Sequence, residues 1–201
     1  GNRGHVYTSM GKYDKAIGDY SQAIRIDPKN ANAYISRGGV YGMKGEYDKV
    51  IQDLSKALAI DSKSAYAYYN RGSAYSKTGK YDKAIEDYSK SLALDPKLAN
   101  GNAYNLRGIV YYEMGEYDKT IDDFSKAIAL DQKNPRSYAS RGSAYGKLGE
   151  HDKAIEDYSR AIALDPKLAK AYNNRANAYR KSGDLKKAEA DEKKYLDLSA
   201  E

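Results

Sequence analysis

Asn70–Pro96 reads NRGSAYSKTGKYDKAIEDYSKSLALDP, and most of the chain is a variation on that line. It returns as SRGGVYGMKGEYDKVIQDLSKALAID from Ser36, as LRGIVYYEMGEYDKTIDDFSKAIALD from Leu106 and as SRGSAYGKLGEHDKAIEDYSRAIALDP from Ser140. Two marker series measure the period. Glycines that follow an arginine stand at Gly4, Gly38, Gly72, Gly108 and Gly142, and a second set stands at Gly11, Gly45, Gly79, Gly115, Gly149 and Gly183. Both step by 34, 34, 36 and 34 residues, and a sixth copy keeps the step with Ala176 in place of the first glycine. Self-similarity at a fixed period of this length means that each unit is one supersecondary element, which buries its apolar face only against its neighbours.

Within the unit that begins at Ala65, Tyr68, Arg71, Gly72 and Tyr75 follow i, i+3, i+4, i+7 spacing, one stripe of a helix. Gly79 breaks the run, because glycine just past a periodic stretch takes positive φ without strain. Tyr81, Ala84, Ile85, Tyr88 and Leu92 restart the helical period, and Asp82, Glu86 and Asp87 near its start favour the positive end of the helix dipole. Asp95-Pro96 ends this second helix, since proline restricts the residue before it and cannot donate the next helical hydrogen bond. The unit is therefore predicted as helix, tight turn, helix, tight turn, and the chain as all-α.

The helix-interior glycine needs a reason, because it costs about 1 kcal/mol relative to alanine. Close approach of the paired helix at Ala84, equivalent to Ala16, Ala154 and Ala188, is one reading, and a ligand against the backbone is the other. A second regularity is electrostatic. Arg3, Arg37, Arg71, Arg107, Arg141 and Arg175 are each followed sixteen residues later by Asp19, Asp53, Asp87, Asp123, Asp157 and Asp191. A structural ion pair within or between units, a ligand-binding arginine ladder and independent solvated charges all remain open.

Composition narrows the function. The 22 tyrosines, one Phe and no Trp recur at the same few places in each unit, so they serve a repeated packing scheme. Without cysteine there is no disulfide framework and no thiolate chemistry, and the compartment stays open. The net charge of +6 is spread, no unit exceeding +2, and the charges alternate along solvated helix faces instead of massing as on a nucleic-acid site. Apolar runs are too short to cross a membrane, and no signal peptide is visible. The chain starts without Met and partway into a repeat, so further sequence is expected upstream and Gly1 to Met10 are expected to fray. His5 and His151 have no partners suggestive of a triad or metal site, and His151 replaces a packing tyrosine. Carboxylates recur with the repeat and no phosphate loop occurs, so neither catalysis nor a cofactor or metal is expected.

These residues resemble the tetratricopeptide repeat, whose small and aromatic positions correspond to Tyr68, Gly72, Tyr75, Ala84, Tyr88, Ser91 and Pro96, and whose second helix opens much like GKYDKAIEDY. The resemblance implies a right-handed α-solenoid of antiparallel helix pairs. It would be a single array over residues 1–201: a truncated unit 1–30, then 31–64, 65–98, 99–134, 135–168 and a cap-like 169–201. Two extra residues near Leu98 to Asn102 enter the fourth unit, Ser62 and Gln132 replace the terminal proline and so predict looser turns, and Glu192 takes a packing position.

Members of this family commonly hold a peptide in a concave groove lined by the first helices. Carrying those positions over gives Asn32 in the second unit, then Tyr66, Tyr69, Asn70, Ser73 and Lys77 in the third. The fourth adds Asn102, Asn105 and Tyr112, and the fifth Arg136 and Lys147. Lys170, Asn173, Asn174, Asn177, Arg180 and Lys181 come from the sixth. Asparagine both donates to and accepts from a peptide backbone, and the basic residues make the C-terminal half of this surface positive, so an acidic or carboxylate-ended segment is the expected ligand. The lysine and asparagine clamp of chaperone-binding members is not reproduced, since Ile35 with Gly39, Tyr69 with Ser73, Asn105 with Ile109 and Ala139 with Ser143 stand at its paired positions. A non-catalytic interaction scaffold is the favoured function, and ordinary solvated surface, an RNA-binding helical repeat or the recruiting arm of a larger enzyme are its alternatives. No specific nucleic acid or membrane partner is expected, while weak self-association is expected through Val6, Tyr7, Tyr13 and Ile17.

Overall fold

The computed structural model describes residues 2–200, leaving Gly1, the first residue of the expected fraying stretch, and Glu201, the last of the cap-like unit, outside the described residues. The chain falls into two compact units, residues 1–98 and 99–201. In the first, α1 (Asn2–Ser9) pairs with α2 (Tyr13–Ile26), α3 (Ala31–Met43) with α4 (Tyr47–Ile60), and α5 (Ala65–Lys77) with α6 (Tyr81–Leu94). In the second, α7 (Asn102–Glu113) pairs with α8 (Tyr117–Leu130), α9 (Pro135–Lys147) with α10 (His151–Leu164), and α11 (Ala169–Ser182) with α12 (Leu185–Ser199). Each second helix also packs on the next first helix within its unit, and successive first helices touch: α3 with α5, α7 with α9, α9 with α11. Among the described residues there is no strand, and no helix is long and apolar enough to cross a membrane.

Local chemistry sets these boundaries. All six turn glycines take positive φ, from 69° to 89°, and the chain reverses there into the next helix. Asn30 and Ser64 cap α3 and α5 by accepting from the Ala33 and Ala67 amides, and Asn134 caps α9 from the Arg136 amide. The second helices stop at Asp27, Asp61, Asp95, Asp131 and Asp165, each extended, with its Oδ1 accepting from the backbone amide two residues on at 3.0 Å. The turns that lack proline are looser in one respect: the backbone bond onto the aspartate carbonyl, 3.1–3.2 Å at Asp27, Asp95 and Asp165, is 3.5 Å at Asp131 and, among the described residues, is not made at Asp61. Asp61 (φ −127°) and Asp131 (φ −138°) nonetheless keep the extended backbone of Asp27 (φ −132°), because the aspartate side-chain hydrogen bond is common to all five turns.

The extra residues of the fourth unit form a 3₁₀ turn, Leu98–Gly101, ahead of α7. Gly101 is required there twice over: its φ is +83°, and a β-carbon would stand 3.0 Å from the Leu130 Cδ1. The N-terminal stretch, expected to fray, is helical over Asn2–Ser9, with the Gly4 backbone seated against the Tyr20 ring and Tyr7 packed on the Ala16, Tyr20 and Val40 core. Further cores lie at Val50, Leu54, Leu58, Ala67 and Ala74 in the first unit and at Ala154, Tyr158 and Ala178 in the second.

The candidate binding face of the first helices

The repeated charges account for themselves first. Every one of the six arginines donates through Nε and Nη2 to both oxygens of the aspartate sixteen residues on, at 2.7–2.8 Å. The pair is therefore within a repeat, joining its two helices. The bond between repeats is a different one: Nη1 of Arg37, Arg71, Arg141 and Arg175 donates to Ser21, Ser55, Ser125 and Ser159 of the preceding second helix at 2.9–3.0 Å. Tyrosines three residues before and four after each of these arginines bracket the guanidinium, as Tyr68 and Tyr75 do around Arg71 at 5.7 and 5.8 Å. Pairing raises the pKa of Arg37, Arg71, Arg141 and Arg175, with the aspartate hydrogen bond the largest cause. These guanidiniums are committed to the scaffold, and the ligand-ladder reading does not fit them.

The helix-interior glycines serve packing too. A β-carbon at Gly72 would meet the Tyr88 ring at 3.1 Å and the Ala84 carbonyl at 3.3 Å. The expected neighbour, Ala84, is present, yet the aromatic ring four residues later is the closer one.

In residues 1–98 the first helices α3 and α5 enclose a cleft of about 340 Å³. Tyr66, Asn70, Ser73 and Lys77 line it from α5, against Ile35, Gly39, Gly42 and Met43 of α3, with Tyr47 and Val50 beneath. It is mostly apolar, and Met43 and Tyr66 stand 61% and 56% exposed at its rim. Asn70 donates back to the Tyr66 carbonyl, while Ser73 donates to the Tyr69 carbonyl and accepts from the Tyr88 hydroxyl at 3.1 Å. Tyr69 lies edge-on to Tyr88, and Asn32 is exposed; neither lines the cleft.

In residues 99–201 several clefts open along α7, α9 and α11, and two of them gather most of the predicted polar residues. One, of about 290 Å³, gathers Tyr112, Lys147, Asn174, Asn177 and Lys181 with Ser143, Tyr158 and His151. The other places Arg136, Lys170 and Asn174 around Ile109, Ser140 and Leu168. Asn105 is not in either: its Oδ1 accepts from Ser137 at 2.7 Å, bracing α7 to α9. Arg180 is turned to Glu192 of α12 and also donates to the Asn177 Oδ1 at 3.2 Å. Asn102 is exposed and Asn173 half-buried, outside both linings. His151, assigned by its position to packing, borders the first cleft, and its Nδ1 is buried with no hydrogen-bond partner. The available signal was the substitution itself, since the equivalent positions carry Tyr13, Tyr47, Tyr81 and Tyr117.

Comparison with known proteins follows this geometry. A model described as TPR repeat matches residues 4–45, 40–79, 108–149 and 142–183, and two described as tetratricopeptide repeat match 65–98 and 169–201. Comparison with curated proteins returned no match. Among solved structures, MamA protein is 30% identical with a TM-score of 0.79, over 85% of this chain and 92% of that one. YrrB, a TPR protein with an unusual peptide-binding site, is 22% identical with a TM-score of 0.79, over 90% and 93%. A tetratricopeptide repeat protein from Parabacteroides merdae is 22% identical with a TM-score of 0.82, over 98% and 77%. The last two show likeness of fold alone. With matches running through residues 4–98 and 108–201, the chain belongs to the tetratricopeptide repeat family.

Proposed function

We propose that this protein is a non-catalytic scaffold whose first-helix face binds an extended, acidic or polar segment of a partner protein. One observation carries the reading. Lys147 and Lys181 stand exposed on neighbouring first helices beside Asn174 and Asn177, and among the described residues neither lysine pairs with a carboxylate. Among the described residues eight lysines pair with a carboxylate, as Lys44 does with Asp14 and Glu46; Lys147 and Lys181 are set apart from the other unpaired ones by lining one cleft together with two asparagines. Cations left without an internal partner, next to the Asn177 amide whose nitrogen is left to donate, suit an anionic chain in extended form. The same fold in YrrB carries a peptide-binding site, which supports the reading.

Fluorescence anisotropy with labelled acidic, neutral and basic peptides tests it on the full chain. The acidic peptide should bind most tightly, weaken as salt rises, and lose affinity when Lys147 and Lys181 are reversed to glutamate. Equal affinity for all three peptides, or tighter binding of a single-stranded RNA, would overturn it. Weak self-association is the second proposed contact, since Val6 and Met10 of α1 are 53% and 57% exposed. Tyr7, Tyr13 and Ile17 are instead packed on the Tyr20 core, so Val6 and Met10 would carry it. A monomeric mass by sedimentation up to high concentration removes this contact.

A further inference from the structure

The cleft of residues 1–98 and the basic cleft of residues 99–201 are built at the same repeat positions. Asn70 and Lys77 of the first correspond to Asn174 and Lys181 of the second, 104 residues on, and Ala74 on the floor corresponds to Ala178. Their volumes are close, about 340 and 290 Å³. They differ at Ser143 and Asn177, which replace Gly39 and Ser73, and most of all in the lower wall. Met43 and Tyr47 make it apolar in the first cleft, while Lys147 and His151 occupy those two positions in the second.

We infer that Lys147 and His151 convert a common inter-repeat cleft into an oxyanion site, which takes a carboxylate or phosphate borne by a bound peptide. The inference rests on the peptide-binding reading and names its anchoring group. Three features carry it. The ammonium groups of Lys147 and Lys181 flank the cleft and pair with no carboxylate among the described residues. The nearest acidic neighbour of Lys147 in the chain, Glu150, is ion-paired with Lys153, although its buried Oε2 accepts no hydrogen bond of normal geometry. His151 brings a buried Nδ1 that no group of the described protein satisfies, at a site where four other repeats place tyrosine. Asn177 adds a donor, because its Oδ1 already accepts from Arg180 and its amide nitrogen is left for a ligand. A compact anion held between two cations and neutral donors is the arrangement that charge-assisted hydrogen bonds favour.

The test exchanges the two walls. Lys147→Met with His151→Tyr gives the second cleft the wall of the first, and Met43→Lys with Tyr47→His does the reverse. Each side chain is already accommodated at that repeat position elsewhere in the chain, and circular dichroism melting checks that both variants stay folded. Hexaglutamate and inorganic phosphate are titrated into the isotope-labelled full chain and followed by NMR. Amide shifts centred on Lys147, His151 and Lys181 are expected in the wild type, with affinity about tenfold or more lower in the Lys147→Met/His151→Tyr variant. New shifts around Lys77 are expected in the reverse variant. Stronger shifts with phosphate than with hexaglutamate assign the site to a phosphoryl group, and the opposite order assigns it to carboxylates. Hexaglutamate binding that is unchanged by Lys147→Met/His151→Tyr overturns the oxyanion site while leaving the scaffold reading standing. Phosphate shifts in this cleft with no binding of any peptide leave the site and overturn the scaffold reading. A reverse variant that gains nothing overturns the role of these two positions.

Discussion

A β-carbon at Gly142 would lie 3.1 Å from the Tyr158 ring and 3.2 Å from the Ala154 carbonyl oxygen, whereas at Gly38 the nearest atoms, on Asp53 and Leu54, are at 3.5 Å. The first spacing is too tight without movement of backbone, and the second is ordinary contact. Alanine is preferred over glycine in a helix by about 1 kcal/mol. Gly38→Ala should therefore hold or raise the melting temperature and Gly142→Ala should lower it; equal shifts would show that the facing side chain, Leu54 against Tyr158, does not set the requirement. The second residue-scale prediction concerns Arg141 and Asp157, whose side chains are 20% and 7% exposed. A double-mutant cycle should give a coupling of about 1–2 kcal/mol, discounted for partial exposure. Arg3 with Asp19 has the same bidentate geometry on a far more open surface and should couple more weakly. Zero coupling at Arg141 would reduce the repeated pair to a surface ornament.

Between elements, the second helix of a repeat is fastened to the first by the aromatic residue that faces its glycine. Tyr88 is almost wholly buried in α6 and donates to Ser73 of α5 at 3.1 Å. Burial pushes its phenol up to about 12, the serine hydrogen bond opposing this more weakly. With the folded value above the unfolded one of about 10, this contribution is intact below about pH 10 and is lost as pH rises from about 10 to 12. Tyr158, raised by burial in the same way, adds to the effect in α10. Tyr88→Phe should move the alkaline unfolding midpoint upward, followed by far-ultraviolet circular dichroism, at a neutral-pH cost of about 0.5–1.5 kcal/mol for the lost hydrogen bond. An unmoved midpoint would assign alkaline unfolding to other groups. The element boundaries themselves were legible from glycine, aspartate and the 3.6-residue period. The looser turns expected at Ser62 and Gln132 appear as a backbone bond onto the aspartate carbonyl that stretches to 3.5 Å at Asp131 and, among the described residues, is not made at Asp61, while the aspartate side chain still holds both turns.

On the scale of the molecule, residues 1–98 hold 16 basic and 11 acidic residues, and residues 99–201 hold 18 and 17. The nearly balanced half is nonetheless the one with the basic cleft, since Lys147 and Lys181 line one cleft there and neither pairs with a carboxylate among the described residues. Net charge of a half thus does not locate its basic cleft. Each half also contains three helix pairs, about the number a repeat array needs to bury its core. Residues 1–98 and 99–201, produced separately, are each expected to show helical circular dichroism and a cooperative melt. A fragment without helical signal would mean that its three pairs do not suffice.

Sequence alone determined the period, the helix pairs, the turn glycines and the sixteen-residue spacing of arginine and aspartate, because all of these follow from short-range backbone geometry repeated six times. Tertiary structure decided which of the non-repeating polar residues remain available. Asn105 is spent on Ser137, Arg180 on Glu192 and Ser73 on Tyr88, whereas Lys147, Lys181 and the replaced tyrosine at His151 meet at one cleft. Those choices depend on how far apart neighbouring helices stand and which way each side chain leans between them. Spacing along the chain carries no such information.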